Sequence, residues 1–251
     1  MIGRRTLAIG GALALALSLS AGAAPAREER PSGYLAPDAL PDSLVLLPPP
    51  PAPDSAEAAA ERAYFLETRA LADTPRWRQA ADDAEAFGDK AHAGLACAAG
   101  VAITVKDTPT LSRMLDRMTV DAGQSVGGAK TTYNRIRPLV GHDEAPICVP
   151  REAWMQTNPS YPSSSAAAGW AWSLVLAELL PKTATPIITR GLAAGESRAI
   201  CGLHWPSDVT AGRTMGAALV ARLHADPAFL KDLETAKTEL ARSPAPEGCG
   251  G

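Results

Sequence analysis

The sequence has no basic surplus: 24 Lys and Arg face 27 Asp and Glu, the formal net charge is −3, and no Lys/Arg block or stripe interrupts the chain. This removes the electrostatic footprint of a nucleic-acid or anionic-membrane partner and favours a small soluble substrate. Alternating β-branched runs are nearly absent, so sheets are not expected and the fold class is all-α. Beyond the N-terminal segment no stretch is apolar for long enough to span a bilayer. The four histidines, His92, His142, His204 and His224, are scattered, and Cys97, Cys148, Cys201 and Cys249 lack ligand spacing. No metal and no other cofactor is therefore expected. A G-x-S-x-G elbow and internal repeats are missing as well.

What is present begins with an export signature. Arg4 and Arg5 precede an apolar run from Leu7 to Ser20, and Ala21-Gly22-Ala23 or Ala24-Pro25-Ala26 offers a small-residue cleavage site. We expect a signal peptide over residues 1–23, a periplasmic or secreted protein, and no membrane contact after cleavage. The Arg pair also permits a twin-arginine route, and a retained anchor is the alternative, for which the apolar run is short. In an oxidising compartment the four cysteines can form two bridges, with three pairings open.

Residues 24–53 read as a Pro-rich arm ending in Leu47-Pro48-Pro49-Pro50-Pro51, which cannot be helical. Residues 54–242 read as one helical domain and 243–251 as a tail. With 46% hydrophobic residues the chain can bury a single sizeable core. The pattern predicts helices over 54–69, 75–100, 108–136, 164–181, 183–196, 207–224 and 227–241. Pro109, Pro206 and Pro227 suit first turns, and Arg137-Pro138 suits a stop. A homo-oligomer is compatible with all of this.

Three clusters carry candidate chemistry. In the first, Lys130 and Arg137 stand seven residues apart, which on a continuous helix puts both on one face, about 10 Å apart along the axis. Taken alone, such a pair is more often two solvated charges. The second, Ser160-Tyr161-Pro162-Ser163-Ser164-Ser165, is a turn feeding an apolar helix. Free N–H groups and hydroxyls there can hold an anion, although simple N-capping by Ser163 would look the same. In the third, Ser197-Arg198 is followed by His204 and, across Pro206, by Asp208. A carboxylate four residues on can fix the tautomer of His204 and leave its other nitrogen free to attack. A packing histidine beside a capping acid is the bland alternative.

In this order the clusters resemble the signature K-x6-RP, PSGH, SR-x5-H-x3-D of the bacterial class A non-specific acid phosphatases. Those belong to the phosphatidic acid phosphatase type 2 superfamily, which also holds the vanadium haloperoxidases. The third pattern alone arises by composition with odds on the order of one in a thousand. The resemblance implies a single-domain helical bundle of that type hydrolysing small phosphomonoesters. It further implies phosphate binding by Lys130, Arg137, Ser163, Ser164 and Arg198, His204 as the nucleophile that becomes phosphohistidine, and Asp208 as its orienting partner.

The departure is at PSGH, which here is Pro162-Ser163-Ser164-Ser165. Ser165 stands where the family's histidine protonates the leaving oxygen, and a hydroxyl cannot do so near neutral pH. Reduced turnover is expected, and a phosphate-binding protein without useful turnover is the main alternative. His142, just beyond Arg137, is a candidate substitute acid. A vanadate peroxidase and a serine hydrolase using Ser164 with His204 and Asp208 are weaker alternatives.

Overall fold

Small polar caps and first-turn prolines set where the helices begin. The computed structural model describes residues 31–249, and the signal segment expected over residues 1–23 lies outside them. Among the described residues there are eleven α-helices and no strand. They are α1 (Ser43–Leu46), α2 (Ala56–Thr68), α3 (Pro75–Asp82), α4 (Gly88–Ala99), α5 (Pro109–Ser125), α6 (Gly127–Tyr133), α7 (Trp154–Thr157), α8 (Ser164–Leu179), α9 (Ala184–Ile200), α10 (Pro206–Leu223) and α11 (Pro227–Leu240). Ser55, Thr74, Ser163 and Asp226 accept a first-turn N–H of α2, α3, α8 and α11, each cap contributing about 1 kcal/mol.

Two predicted helices break. The stretch 75–100 splits at residues 83–87, where Phe87 is extended and Gly88 takes φ 73°. The stretch 108–136 bends at Val126, ahead of Gly127-Gly128, and stops at Asn134 (φ 43°, ψ 44°), whose N–H bonds the Lys130 carbonyl at 3.0 Å. Asn is one of the few residues that tolerate this left-handed region. Lys130 and Arg137 therefore do not share a helix face. Lys130 sits in α6, and Arg137 lies past its end, before Pro138, where helix is disfavoured. In the other direction, α9 continues beyond the predicted end at residue 196 to Ile200 and carries Ser197 and Arg198 with it.

Helix α8 packs against α5, α9 and α10, and Ala167, Ala171, Val175 and Leu176 on it are completely buried. The approach of α8 to α10 is backbone to backbone. A Cβ added at Gly212 would lie 2.4 Å from the Ser163 carbonyl oxygen, and one at Gly216 would lie 2.4 Å from that of Ala167. Glycines one turn apart thus allow the starts of α8 and α10 to sit together.

Residues 31–53 of the expected arm and 243–249 of the expected tail pack with the helices. Leu35 and Leu47 are buried in the core shared with α5 and α8. Asp121 accepts from the N–H groups of Tyr34 (2.8 Å) and Leu35 (3.3 Å), and the Tyr161 hydroxyl donates to the Pro48 carbonyl (2.7 Å). At the other end Cys249 is bonded to Cys97, and the remaining bridge is Cys148–Cys201. The changes at residues 53/54 and 242/243 are changes of composition rather than packing boundaries.

Because no room exists for a side chain between α8 and α10, Gly216→Ala should cost about 1–3 kcal/mol through overpacking and lower Tm by several degrees. Gly123→Ala, whose Cβ would meet nothing within 4 Å, should leave Tm unchanged or slightly raised. An unchanged Tm in Gly216→Ala would contradict the close approach.

Candidate active site

Helix α9 reverses at Gly202 (φ 83°), where an added Cβ would lie 2.7 Å from Arg69 Nη1 and 3.1 Å from the Phe65 ring. Arg69 secures the reversal by donating to the carbonyls of Pro146 and Ile200, and the Cys148–Cys201 bridge secures it covalently. The N–H groups of Leu203 and His204 turn back onto the Arg198 carbonyl at 3.1 and 3.2 Å. The side chains of Arg198 and His204 are thereby buried in one interior, 6% and 4% exposed.

His204 Nδ1 lies 2.9 Å from the Ser160 carbonyl and 3.4 Å from an Asp208 carboxylate oxygen. A carbonyl can only accept, so Nδ1 carries the proton and Nε2 presents its lone pair. Arg137 Nη1 donates to that lone pair at 3.1 Å. The tautomer is thus set first by the Ser160 carbonyl, which sequence did not single out, with the expected orienting partner Asp208 second. Asp208, completely buried, accepts from the Trp205 N–H (2.8 Å) and from Arg135 Nη1 (2.7 Å). Arg135 also pairs with Glu61 at 2.5 Å, and the other Glu61 oxygen takes the Ser207 N–H at 2.7 Å. Burial pushes the Asp208 carboxyl up, and Arg135 pulls it down. Glu61 and Arg135 were not singled out from sequence. Arg135 lies inside the first cluster, but nothing in α2 marks Glu61.

The three expected phosphate-binding cations converge here, and neutral groups hold them. Lys130 Nζ donates to the Pro159 carbonyl at 2.5 Å. Arg137 donates to the carbonyls of Asn158 (2.8 Å) and Leu203 (2.9 Å) and to the Asn158 side chain (2.9 Å). Arg198 Nη1 reaches the Asp83 carbonyl at 3.3 Å, while its buried Nε has no acceptor among the described residues. A buried charged donor without a partner is costly, and an incoming oxyanion would relieve it. Burial, with repulsion from Arg137, lowers Lys130 to about 8. Burial, with repulsion from Arg198, lowers Arg137 to about 10, and burial lowers Arg198 to about 10. Burial first, then Arg137, Lys130 and Arg198, hold the His204 imidazole well below its usual titration range. A neutral imidazole therefore persists into acid.

Ser163 caps α8 by accepting the Ala166 N–H at 3.2 Å, and its own N–H bonds the Asp208 carbonyl at 2.9 Å. Acting as an acceptor leaves its O–H available to donate. The N–H groups of Ser164 and Ser165, the first two of α8, have no acceptor among the described residues, the arrangement that receives anions. Ser164, Ser165 and Arg198 also line a cleft of about 380 Å³ against α5 and residues 83–87. His142 is not brought into the cluster; its ring packs on Phe65 with centroids 5.2 Å apart. Among the described residues no three His, Cys, Asp or Glu side chains form a metal-ligand set.

The sequence profile of the PAP2 superfamily matches residues 113–230. The chain is 42% identical over 203 residues to a non-specific acid phosphatase of Providencia stuartii, covering 80% of this chain and 82% of that protein. It is 37% identical over 234 residues to an acid phosphatase of Zymomonas mobilis, covering 93% and 87%. With a non-specific acid phosphatase of Salmonella typhimurium it shares 36% identity over 208 residues, covering 82% and 83%.

The lowered Lys130 gives a pH dependence with a definite sign. The ammonium is the form that attracts an oxyanion, so its contribution is complete below about 8 and is lost as pH rises through that value. Phosphate binding, followed calorimetrically, should weaken about tenfold or more above that point, the scale of one charge-assisted hydrogen bond. Lys130→Arg should shift the weakening to higher pH, and identical profiles for the two proteins would remove Lys130 from the site.

Proposed function

The chain belongs to the PAP2 superfamily and is a phosphoric monoester hydrolase of its non-specific acid phosphatase group, and we propose that it works through a phosphohistidine at His204. The observation that carries this proposal is the lone pair of His204 Nε2, set by the Ser160 carbonyl and faced by three cations whose partners are neutral. Phosphoryl transfer needs mainly positioning and charge neutralisation around three equatorial oxygens. Lys130, Arg137, Arg198, the Ser163 hydroxyl and the first N–H groups of α8 provide those without requiring a metal. Entry of a phosphomonoester draws Arg137 from Nε2 onto an oxygen and frees the nucleophile. As the N–P bond forms, positive charge develops on the ring, and the Ser160 carbonyl and Asp208 stabilise it through Nδ1–H.

Ser165 leaves the departing oxygen without the family's histidine, so turnover is reduced most for basic leaving groups. The same residue supports the second reading, a protein that binds phosphate esters with little turnover. Export to the periplasm or beyond is part of the proposal. The bridges Cys97–Cys249 and Cys148–Cys201 support it, because such bonds persist in oxidising compartments, as does the signal-like pattern around Arg4 and Leu7–Ser20.

Purified protein given labelled nitrophenyl phosphate and quenched rapidly at alkaline pH should carry label on His204, and His204→Ala should carry none. Persistent labelling in His204→Ala would overturn the assignment. Saturable phosphate binding with neither label nor phosphate release would establish the binding-protein reading instead.

A further inference from the structure

The reaction divides at phosphorus: the nucleophile approaches from one side and the leaving oxygen departs on the other, roughly in line. In this protein the two sides have different walls. His204, Arg137 and Lys130 form the attack side, and none of them lines the cleft of about 380 Å³ that opens past Ser164, Ser165 and Arg198. Ser165, the position at which the resemblance expects the proton donor, lines that cleft, which makes it the candidate departure side and the place to look for a group that protonates the leaving oxygen.

Four of its lining residues ionise: Asp83, Glu85, Arg190 and Arg198. Two are arginines, which keep their protons. Asp83 is fully engaged, since its carboxylate pairs with Arg190 and accepts the Ser197 hydroxyl at 2.6 Å. Glu85 remains, exposed on the loop between α3 and α4 and without an ion pair or side-chain hydrogen bond among the described residues. Its backbone is nonetheless held close to the phosphate side chains. The Asp83 carbonyl takes Arg198 Nη1 at 3.3 Å, and two residues of chain span at most about 7 Å. Ser197 and Arg190, both on α9, clamp the same loop.

We propose that Glu85 is the proton donor to the leaving oxygen, in the role that a hydroxyl at Ser165 cannot fill; this rests on the phosphohistidine reading above. At acid pH, as the His204 Nε2–P bond forms and the ester P–O bond breaks, the Glu85 carboxylic acid gives its proton to the departing oxygen, which leaves as the alcohol. In the second half the Glu85 carboxylate takes a proton from the attacking water while the N–P bond breaks. Phosphate is released, and both His204 and the protonated Glu85 are restored.

The test separates the two halves in Glu85→Gln. With nitrophenyl phosphate, whose leaving group needs no acid, single-turnover formation of the phosphoenzyme should change less than about threefold. Steady-state turnover should fall by about 10²-fold or more, the scale of general acid–base catalysis, and phosphoenzyme should accumulate. With glycerol 2-phosphate, formation itself should slow by that factor and no phosphoenzyme should build up. Adding Ser165→His in the Glu85→Gln background should restore much of the glycerol phosphate rate. Equal slowing of phosphoenzyme formation on both substrates, or no effect on either, would overturn the role of Glu85. Phosphoenzyme that never forms from nitrophenyl phosphate in the parent protein would instead strike the phosphohistidine reading.

Discussion

Three like charges gathered around one buried imidazole is the constraint to which the rest of the site answers. Two unit charges about 4 Å apart repel by about 4 kcal/mol at an effective dielectric near 20, so Lys130, Arg137 and Arg198 would drift apart if the backbone did not hold them. Carboxylates would be the obvious restraint, but they would cancel the charge that a dianion needs. The protein uses carbonyls instead, those of Pro159, Asn158, Leu203 and Asp83. The nearby acids are committed elsewhere: Glu61 and Asp208 to Arg135, and Asp83 to Arg190. Positive charge is thereby kept in place and uncompensated. Burial first, and repulsion among these cations second, depress the titration of Lys130 and His204.

The irregular backbone follows from the same need. Carbonyls free to accept from a cation occur outside regular helix, and Asn158, Pro159 and Ser160 sit in the short connection between α7 and α8. The left-handed stop at Asn134 releases Arg137 from α6 so that it can reach this connection. Gly202 allows α9 to reverse so tightly that Arg198 and His204 share one interior. Gly212 and Gly216 then bring the start of α8 against the start of α10, which places the free N–H groups of Ser164 and Ser165 beside the same charges.

This also explains what the sequence disclosed. Spacing carried His204 with Asp208, and Ser197 with Arg198, because each pair lies within or beside one helix and local geometry decides its contact. The helix starts were legible for the same reason, since Pro109, Pro206 and Pro227 act on their own first turns. Lys130 and Arg137 were correctly grouped but given the wrong geometry, because a helix period was extended across Asn134. Ser160 was visible only as a possible turn residue, and its carbonyl, the closest partner of His204 Nδ1, has no side-chain signature. Glu61 reaches the site across 74 residues to Arg135, a separation at which composition and periodicity carry no information.

On the proposed division of the site across phosphorus, its halves need not change together. On the attack side every part constrains another: moving His204 disturbs the Ser160 carbonyl, Asp208, Arg135 and Arg137, most of them buried. A substitution there leaves a buried donor or charge unpaired, at a cost of several kcal/mol. The proposed departure side is a cleft in which Glu85, Ala86 and Phe87 are exposed and Ser164 and Ser165 half-buried, and Ser165 supports no other contact of the charge network among the described residues. A proton donor requires only reach and an ionisable hydrogen, which more than one position around such a cleft can satisfy. On the proposed mechanism, Ser165 in place of the histidine that the resemblance expects leaves attack intact and alters how the alcohol leaves, with no rebuilding of the phosphate site.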